Sequence, residues 1–310
     1  MRFSNDVHYA WRQIQKSPGF ALIVILTLGL TLALSTTVFS VLDAVFVRPL
    51  PYGQPERIFS IATYSPQGYT QPASYLEYLD WKRETKAFSA LAAYNAWTSV
   101  NAQTALGAVS LHSVSTSDNF FDVFGVKPYL GRTFAPGEEQ PGRNLVAVLS
   151  NEVWRSFFSA RTDAIGSKIS LDGRPYTVIG IMPAGFRFPI NRTDAIYVPL
   201  ALSAAQREHR GDHEFPTVAR LSPGVTNQAA QQEFNRILRD LGRVYPDTAG
   251  RKAKLIDLPT FISGDYRSAL RLLFFAVVAI VLIGCVNLSG MLLARGVAAN
   301  LNPVDTLRLE

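Results

Sequence analysis

The sequence predicts an exported α+β domain held between two transmembrane α-helices. Three observations carry this reading. Two uncharged runs of bilayer-spanning length lie near the two ends of the 310-residue chain. The segment between them mixes strand-like and helical stretches with no regular strand-helix-strand repeat. The short flanks outside the runs are basic.

The first run, SPGFALIVILTLGLTLALSTTVFSVL, extends from Ser17 to Leu42. A secretory signal needs an apolar core of only about 7–15 residues followed by a small-x-small cleavage site. This core is nearer the roughly 20 residues of a spanning helix. Asp43 and Arg48 close it, and Pro49, Pro51 and Gly53 remove the donors and torsions that a helix needs. The second run, Leu272–Ala294, is bracketed by Arg271 and Arg295. Neither run alternates polar and apolar faces, as a core helix of a soluble protein would.

Orientation follows from the short flanks. Arg2, Arg12 and Lys16 precede the first run against Asp6, and Arg295 and Arg308 follow the second. Both termini are therefore expected to be cytoplasmic. The boundaries that follow are 1–18 for a cytoplasmic amphipathic helix, 19–47 for the first transmembrane helix and 48–268 for the exported core. The second transmembrane helix takes 269–294 and a cytoplasmic tail 295–310. In the leading segment Val7, Trp11 and Ile14 share one stripe, which suits a helix lying in the interface.

From Arg48 to Arg271 the chain carries 25 of its 30 Lys and Arg and 20 of its 24 Asp and Glu. The basic residues are scattered among acids, so the composition excludes a nucleic-acid partner. The only cysteine, Cys285, lies in the second run. The exported domain thus has no disulfide and relies on its core.

Along that domain ERIFSIATY and AVSLHSVS read as strands. The stretch Ser74–Tyr94 suits a helix or a broken pair of helices. SDNFFDVFGV reads as a short helix with Ser117 or Asp118 as its cap and Gly125 at its end. LVAVLS runs as a strand into a helix capped by Ser150. KISLDGRPYTVIGIMP is a hairpin, because Asp172-Gly173 supplies the left-handed torsions of a tight turn. AIYVPL and TVARL are strands. TNQAAQQEFNRILRDLGRVYP is a helix with Phe234, Ile237, Leu238 and Leu241 on one face.

No motif carries catalysis or a cofactor. In HRGDHE, His209 and His213 could face one metal only on a helix, and Gly211 sits between them. A solvated, metal-free loop is the expectation. No Gly-x-Ser-x-Gly elbow appears, and Gly166-Ser167-Lys168 lacks the order of a phosphate loop. Asn191-Arg192-Thr193 matches a glycosylation acceptor by three residues alone. The chain reads as no enzyme, with no cofactor and no metal. In the first run Thr27, Thr31 and Ser35 recur every four residues, a stripe that admits another helix. The alternative is that they bond only their own backbone. Gly290 and Ala294 share that spacing in the second run, and the Asn287 amide needs a partner in lipid.

Many stretches, in order, resemble the MacB/FtsX-type ABC transporter permeases with a MacB-like periplasmic core. These are SPGF, DAVFVRPLPY, SYLEYLDWK, NFFDVFGVKPYLGRTF, VAVLSNEVW, IGSKISLDGRPYTVIGIMPAGFRFP, YVPLAL, VARLSPGVT and VNLSGMLLAR. The resemblance implies an α+β periplasmic core of two subdomains in the bacterial inner membrane. It also implies a permease-like subunit of an efflux or mechanotransmission system, with membrane lipid, a separate ATPase subunit and a homodimer or permease partner around it. The alternative is a membrane-tethered periplasmic interaction module or truncated remnant without transport activity. In the family two further spans and a coupling segment follow, whereas NPVDTLRLE here resembles the family's terminal tail. The expectation is a chain that lacks those parts and does not couple to ATP hydrolysis by itself.

Overall fold

The computed structural model describes residues 18–42, 52–104, 107–188, 195–264 and 267–300. The leading amphipathic segment, the proline-rich exit, Asn191-Arg192-Thr193 and the tail after 300 lie outside them. Two compact units result: one of Leu50–Ile262, the other of Met1–Pro49 with Ser263–Glu310.

The larger unit is built on ten paired strands. Its first half is β1 (Ile58–Tyr64), α2 (Tyr75–Glu84), the start of β2 (Phe88–Thr104), β9 (Thr217–Leu221), α6 (Asn227–Val244) and β10 (Lys252–Asp257). These strands lie in the order β10-β1-β9-β2, every pair antiparallel. This is the split β-α-β arrangement, with everything between β2 and β9 inserted. Its helices bury their apolar faces on the sheet, where Trp81 of α2 meets Phe234 of α6 edge-on at 5.1 Å between ring centroids.

The insertion is a second sheet that closes on itself. β2 pairs with β3 (Gly107–Thr116), and β3 runs parallel to β8 (Ala195–Pro199). β8 pairs with β5 (Val146–Leu149), and β5 runs parallel to β7 (Arg174–Ile181). β7 pairs with β6 (Lys168–Leu171), and β6 returns to β2 at Ala102 and Gln103. The ring of six pairings is a small barrel, and closure removes the unpaired edges of an open sheet. Leu111, Leu149, Ile169, Val178, Ile181 and Ile196 are buried in one cluster with Val153 and Trp154 of α4 (Asn151–Phe158).

β2 belongs to both halves. Its residues from Phe88 to Ala93 pair with β9 and those from Tyr94 to Thr104 pair with β3, with a bulge between Asn95 and Thr98. A bulge bends a strand and sharpens its twist, which re-aims β2 between the sheets. An aromatic cluster fills the junction: Tyr94, Phe120, Phe121 and Phe124 of α3 (Phe120–Phe124), Phe186, Phe188 and Tyr197 are all buried. Arg220 of β9 donates from Nε to the Val123 carbonyl and from Nη2 to the Gly53 carbonyl, each at 2.7 Å. Those bonds occupy an acceptor at the C-terminus of α3 that the helix itself leaves open.

Most elements fall where the periodicity places them. The hairpin is β6–β7, with Leu171 opposite Arg174 and positive φ at Asp172 (47°) and Gly173 (78°). Ser150 accepts from the Val153 N–H and caps α4. Two readings are corrected and one strand was missed. The helix from Ser74 ends at Glu84, and Phe88–Tyr94 is strand, because Ala92 and Ala93 are buried in the sheet. The residue before α3 is Asn119, whose side chain makes no capping bond, in place of Ser117 or Asp118. β10 carried no legible signal, since KAKLID alternates Lys with small and apolar residues as an edge strand does.

In the smaller unit α1 (Pro18–Leu42) and α8 (Arg267–Asn300) contain apolar stretches of 20 and 21 residues, Ala21–Ser40 and Arg271–Met291. Both are long and apolar enough to cross a membrane. α5 (Ala204–Glu208) and α7 (Leu258–Ser263) complete the helices.

Candidate functional site: the helix pair and the buried ionic network

α1 and α8 lie against each other antiparallel, with Thr31 facing Gly284 and Ser35 to Phe39 beside Phe274 to Leu282. A Cβ placed on Gly284 would stand 3.0 Å from Thr31 Oγ1, so the two backbones approach as closely as only glycine allows. Thr27, Thr31 and Ser35 are less exposed than most of their neighbours, and each also donates its hydroxyl to the carbonyl four residues back, at 2.7–2.8 Å. Bonding to their own backbone and facing a helix are therefore compatible: the hydroxyl is spent locally and the small side chain still fits.

The facing seam of α8 is Val277, Ile280, Gly284, Leu288 and Met291, spaced three or four apart. Asn287 and Gly290 are exposed, and a Cβ on Gly290 would meet nothing within 4 Å. The packing of the Ala294 side chain lies outside the described residues. Asn287 is three residues past Gly284, about 60° around the helix from the centre of that seam, so it flanks the contact. An apolar crevice of about 450 Å³ opens beside the pair, lined by Val38, Phe39, Phe274, Val278 and Val281 among others.

In the larger unit polar chemistry concentrates on α2. Ser74 and Glu77 form a capping box: the Ser74 hydroxyl accepts from the Glu77 N–H and the Glu77 carboxylate accepts from the Ser74 N–H. The same carboxylate pairs with Arg251 through Oε1 and lies 3.2 Å from His213 Nδ1 through Oε2. Both ions of the Glu77–Arg251 pair are at most 3% exposed. Arg251 also donates to the Gln71 and Pro72 carbonyls at 3.3 and 3.2 Å. Burial alone would raise the Glu77 carboxyl, but the bonds from His213, Arg251 and Ser74 outweigh it and hold the group below the usual range.

One turn on, Asp80 accepts from Arg83 and Arg210, each at 2.8 Å, and Arg210 stacks over the Tyr245 ring at 3.6 Å. Toward the barrel, Tyr75 donates to Glu139 at 3.2 Å and Lys82 pairs with Asp118 at 3.4 Å. Burial and the nearby Asp118 charge raise the Glu139 carboxyl, against the Asp118 N–H that donates to it at 2.6 Å. Burial beside Glu139 pushes Tyr75 up to about 12. α2 is thus tied to both subdomains and to the loop before β9.

The HRGDHE segment divides. His209 is exposed and paired with Asp212 at 2.8 Å, whereas His213 turns inward to Glu77 and Arg251. The reading of the whole segment as solvated is corrected at His213, because the loop packs back onto α2. Among the described residues no group of three or more His, Cys, Asp or Glu side chains is placed to hold a metal. Sequence reasoning missed Glu77 and Arg251. The S-x-x-E pattern of Ser74–Glu77 was the available signal for Glu77, and none marks Arg251, which lies far away in the chain.

The family model of the MacB-like periplasmic core domain matches residues 21–237. Among solved structures, the periplasmic region of MacB from Actinobacillus actinomycetemcomitans superposes with a TM-score of 0.51 at 14% identity, covering 70% of this chain and 94% of that one. A domain of a protein described as a permease from Porphyromonas gingivalis gives 0.51 at 15% identity, over 67% and 93%. At such identities the likeness is one of fold. Among curated proteins none matches the chain by sequence.

Proposed function

Because the chain belongs to the family of the MacB-like periplasmic core domain, we propose that it is a permease-like membrane subunit of an ABC-type efflux or mechanotransmission system. Permease-like proteins of this kind are not a class of enzyme, and the energy would come from a separate ATPase subunit. The observation that carries the reading is the family match over 21–237, together with two helices of spanning length, one inside the start of the match and one after its end. The antiparallel pairing of α1 and α8 supports a topology with both termini on one side of the membrane, and the basic short flanks favour the cytoplasm as that side, with the domain periplasmic.

The domain suits transmission of movement. β2 is one continuous strand of 17 residues shared by both subdomains, and α2 is bonded to each. A unit so cross-linked moves as a body rather than deforming internally. Purification of the tagged full chain from its native membranes in mild detergent tests the proposal. An ATPase subunit that co-purifies in fixed ratio is the expected result. Recovery of the chain with no nucleotide-hydrolysing partner would favour a tethered interaction module instead.

A further inference from the structure

We infer that Gln231 of α6 closes the free edge of β10 to an added strand, and so keeps the larger unit from joining edge to edge with a second copy of the chain. The path of paired strands ends at β10 on one side and at β4 (Leu130–Gly131), only two residues long, on the other. β10 has six residues and, among the described residues, pairs with β1 alone. Its outer rim is a template on which a further strand could build.

The Gln231 amide sits on that rim. Its Nε2 donates to the Ala253 carbonyl at 2.9 Å, and its Oε1 accepts from the Leu255 N–H at 2.8 Å. Alternate residues of an antiparallel strand turn their backbone groups to opposite sides. Because the Leu255 N–H is spent on Gln231, Ala253 and Leu255 are the residues that face away from β1, and their groups are those an added strand would take. A second donation from Nε2, to Asn235 Oδ1 at 3.1 Å, fixes the amide one turn along α6. Packing alone does not call for an amide there. Ala230, Phe234, Ile237 and Leu238 are the buried residues of α6, and an apolar side chain at 231 would leave both rim groups open. Charge adds a second obstacle. Leu255 is buried and Ala253 packs against the same core, whereas Lys252 and Lys254 are exposed. Two copies of β10 paired antiparallel about Lys254 would set lysine opposite lysine, which destabilises the pair. A covered rim and a charged strand are both means by which an edge is kept from pairing.

The inference stands on the larger unit and is independent of any role in transport. The test uses the full chain in lipid vesicles, with Cys285→Ser as background. Gln231→Ala and Gln231→Met each remove the amide; alanine and methionine are both good helix formers. In hydrogen–deuterium exchange the Leu255 amide should exchange about tenfold faster in both than with Gln231 retained. Lys254→Cys is then added, which removes one charge and places a thiol where two paired edges would meet. Under a mild oxidant, disulfide-linked dimer at 254 should form about threefold or more above the level seen with Gln231 retained. Arg243→Cys, whose wild-type side chain is 80% exposed on α6, is the control and should cross-link equally with and without Gln231. Unchanged exchange at Leu255, or equal cross-linking at 254 with and without Gln231, overturns the inference. A rise at 243 matching that at 254 marks general association and overturns it as well. Loss of folding in both replacements would make Gln231 a member of the core rather than a guard of the edge, with the same consequence.

Discussion

Glu77 caps α2, pairs with Arg251 and receives His213, so one carboxylate joins a helix start, the approach to β10 and the approach to β9. Removing one member of a buried pair strands the other charge, at a cost of about 3–5 kcal/mol. Glu77→Gln should lose that much at pH 7, read by urea unfolding of the full chain in detergent. The carboxyl is depressed in the fold, so its stabilisation is present above the unfolded value and is lost as pH falls through the folded one. The gap between wild type and variant should therefore narrow in acid, below about pH 4. A gap constant from neutral to acid pH would contradict the assignment. Glu139 is raised, and the sign reverses: ionisation costs stability, which returns as pH falls through its folded value. Glu139→Gln should cost less than Glu77→Gln at neutral pH, and its deficit should grow toward acid.

Among the elements, the phase of α8 is set by one close approach. Gly284→Leu should push α1 and α8 apart and lower the thermal midpoint in detergent, while Gly290→Leu should leave it unchanged, since only the Cβ at 284 meets Thr31. Equal effects at both positions would refute the seam. In the barrel, a Cβ at Gly180 would stand 2.1 Å from the Arg132 carbonyl oxygen, so Gly180→Ala must displace the backbone of the adjoining segment at Arg132. A loss of about 1–3 kcal/mol in unfolding free energy is expected. The hairpin at Asp172-Gly173 was legible because two adjacent residues dictate its torsions. The phase of α8 was not, because Gly284, Gly290 and Ala294 are all small and only the partner helix distinguishes them.

For the whole molecule, the proposed topology puts the β6–β7 hairpin and the C-terminus on opposite sides of the membrane. A reporter active only outside the cytoplasm, fused after Gly173, should give signal, and one fused after Glu310 should not. The inverse pattern would reverse the map. The α+β class and a spanning-length helix at each end were legible because hydropathy, run length and turn chemistry are local quantities. The ring of pairings that closes the barrel was not, for its closing contact joins Ala102 to Leu171, nearly seventy residues apart in the chain.

By itself, then, the sequence determined which segments are apolar, which turn and which begin helices, since each depends on residues a few positions apart. Only the tertiary structure decided that β2 serves two sheets, that Glu77 meets Arg251 and that Gly284 meets Thr31. The physical reason is the same in all three. A buried ion pair, a strand partner and a helix seam are chosen by which distant surfaces come within a few ångströms, and a single chain read alone carries no local mark of that choice.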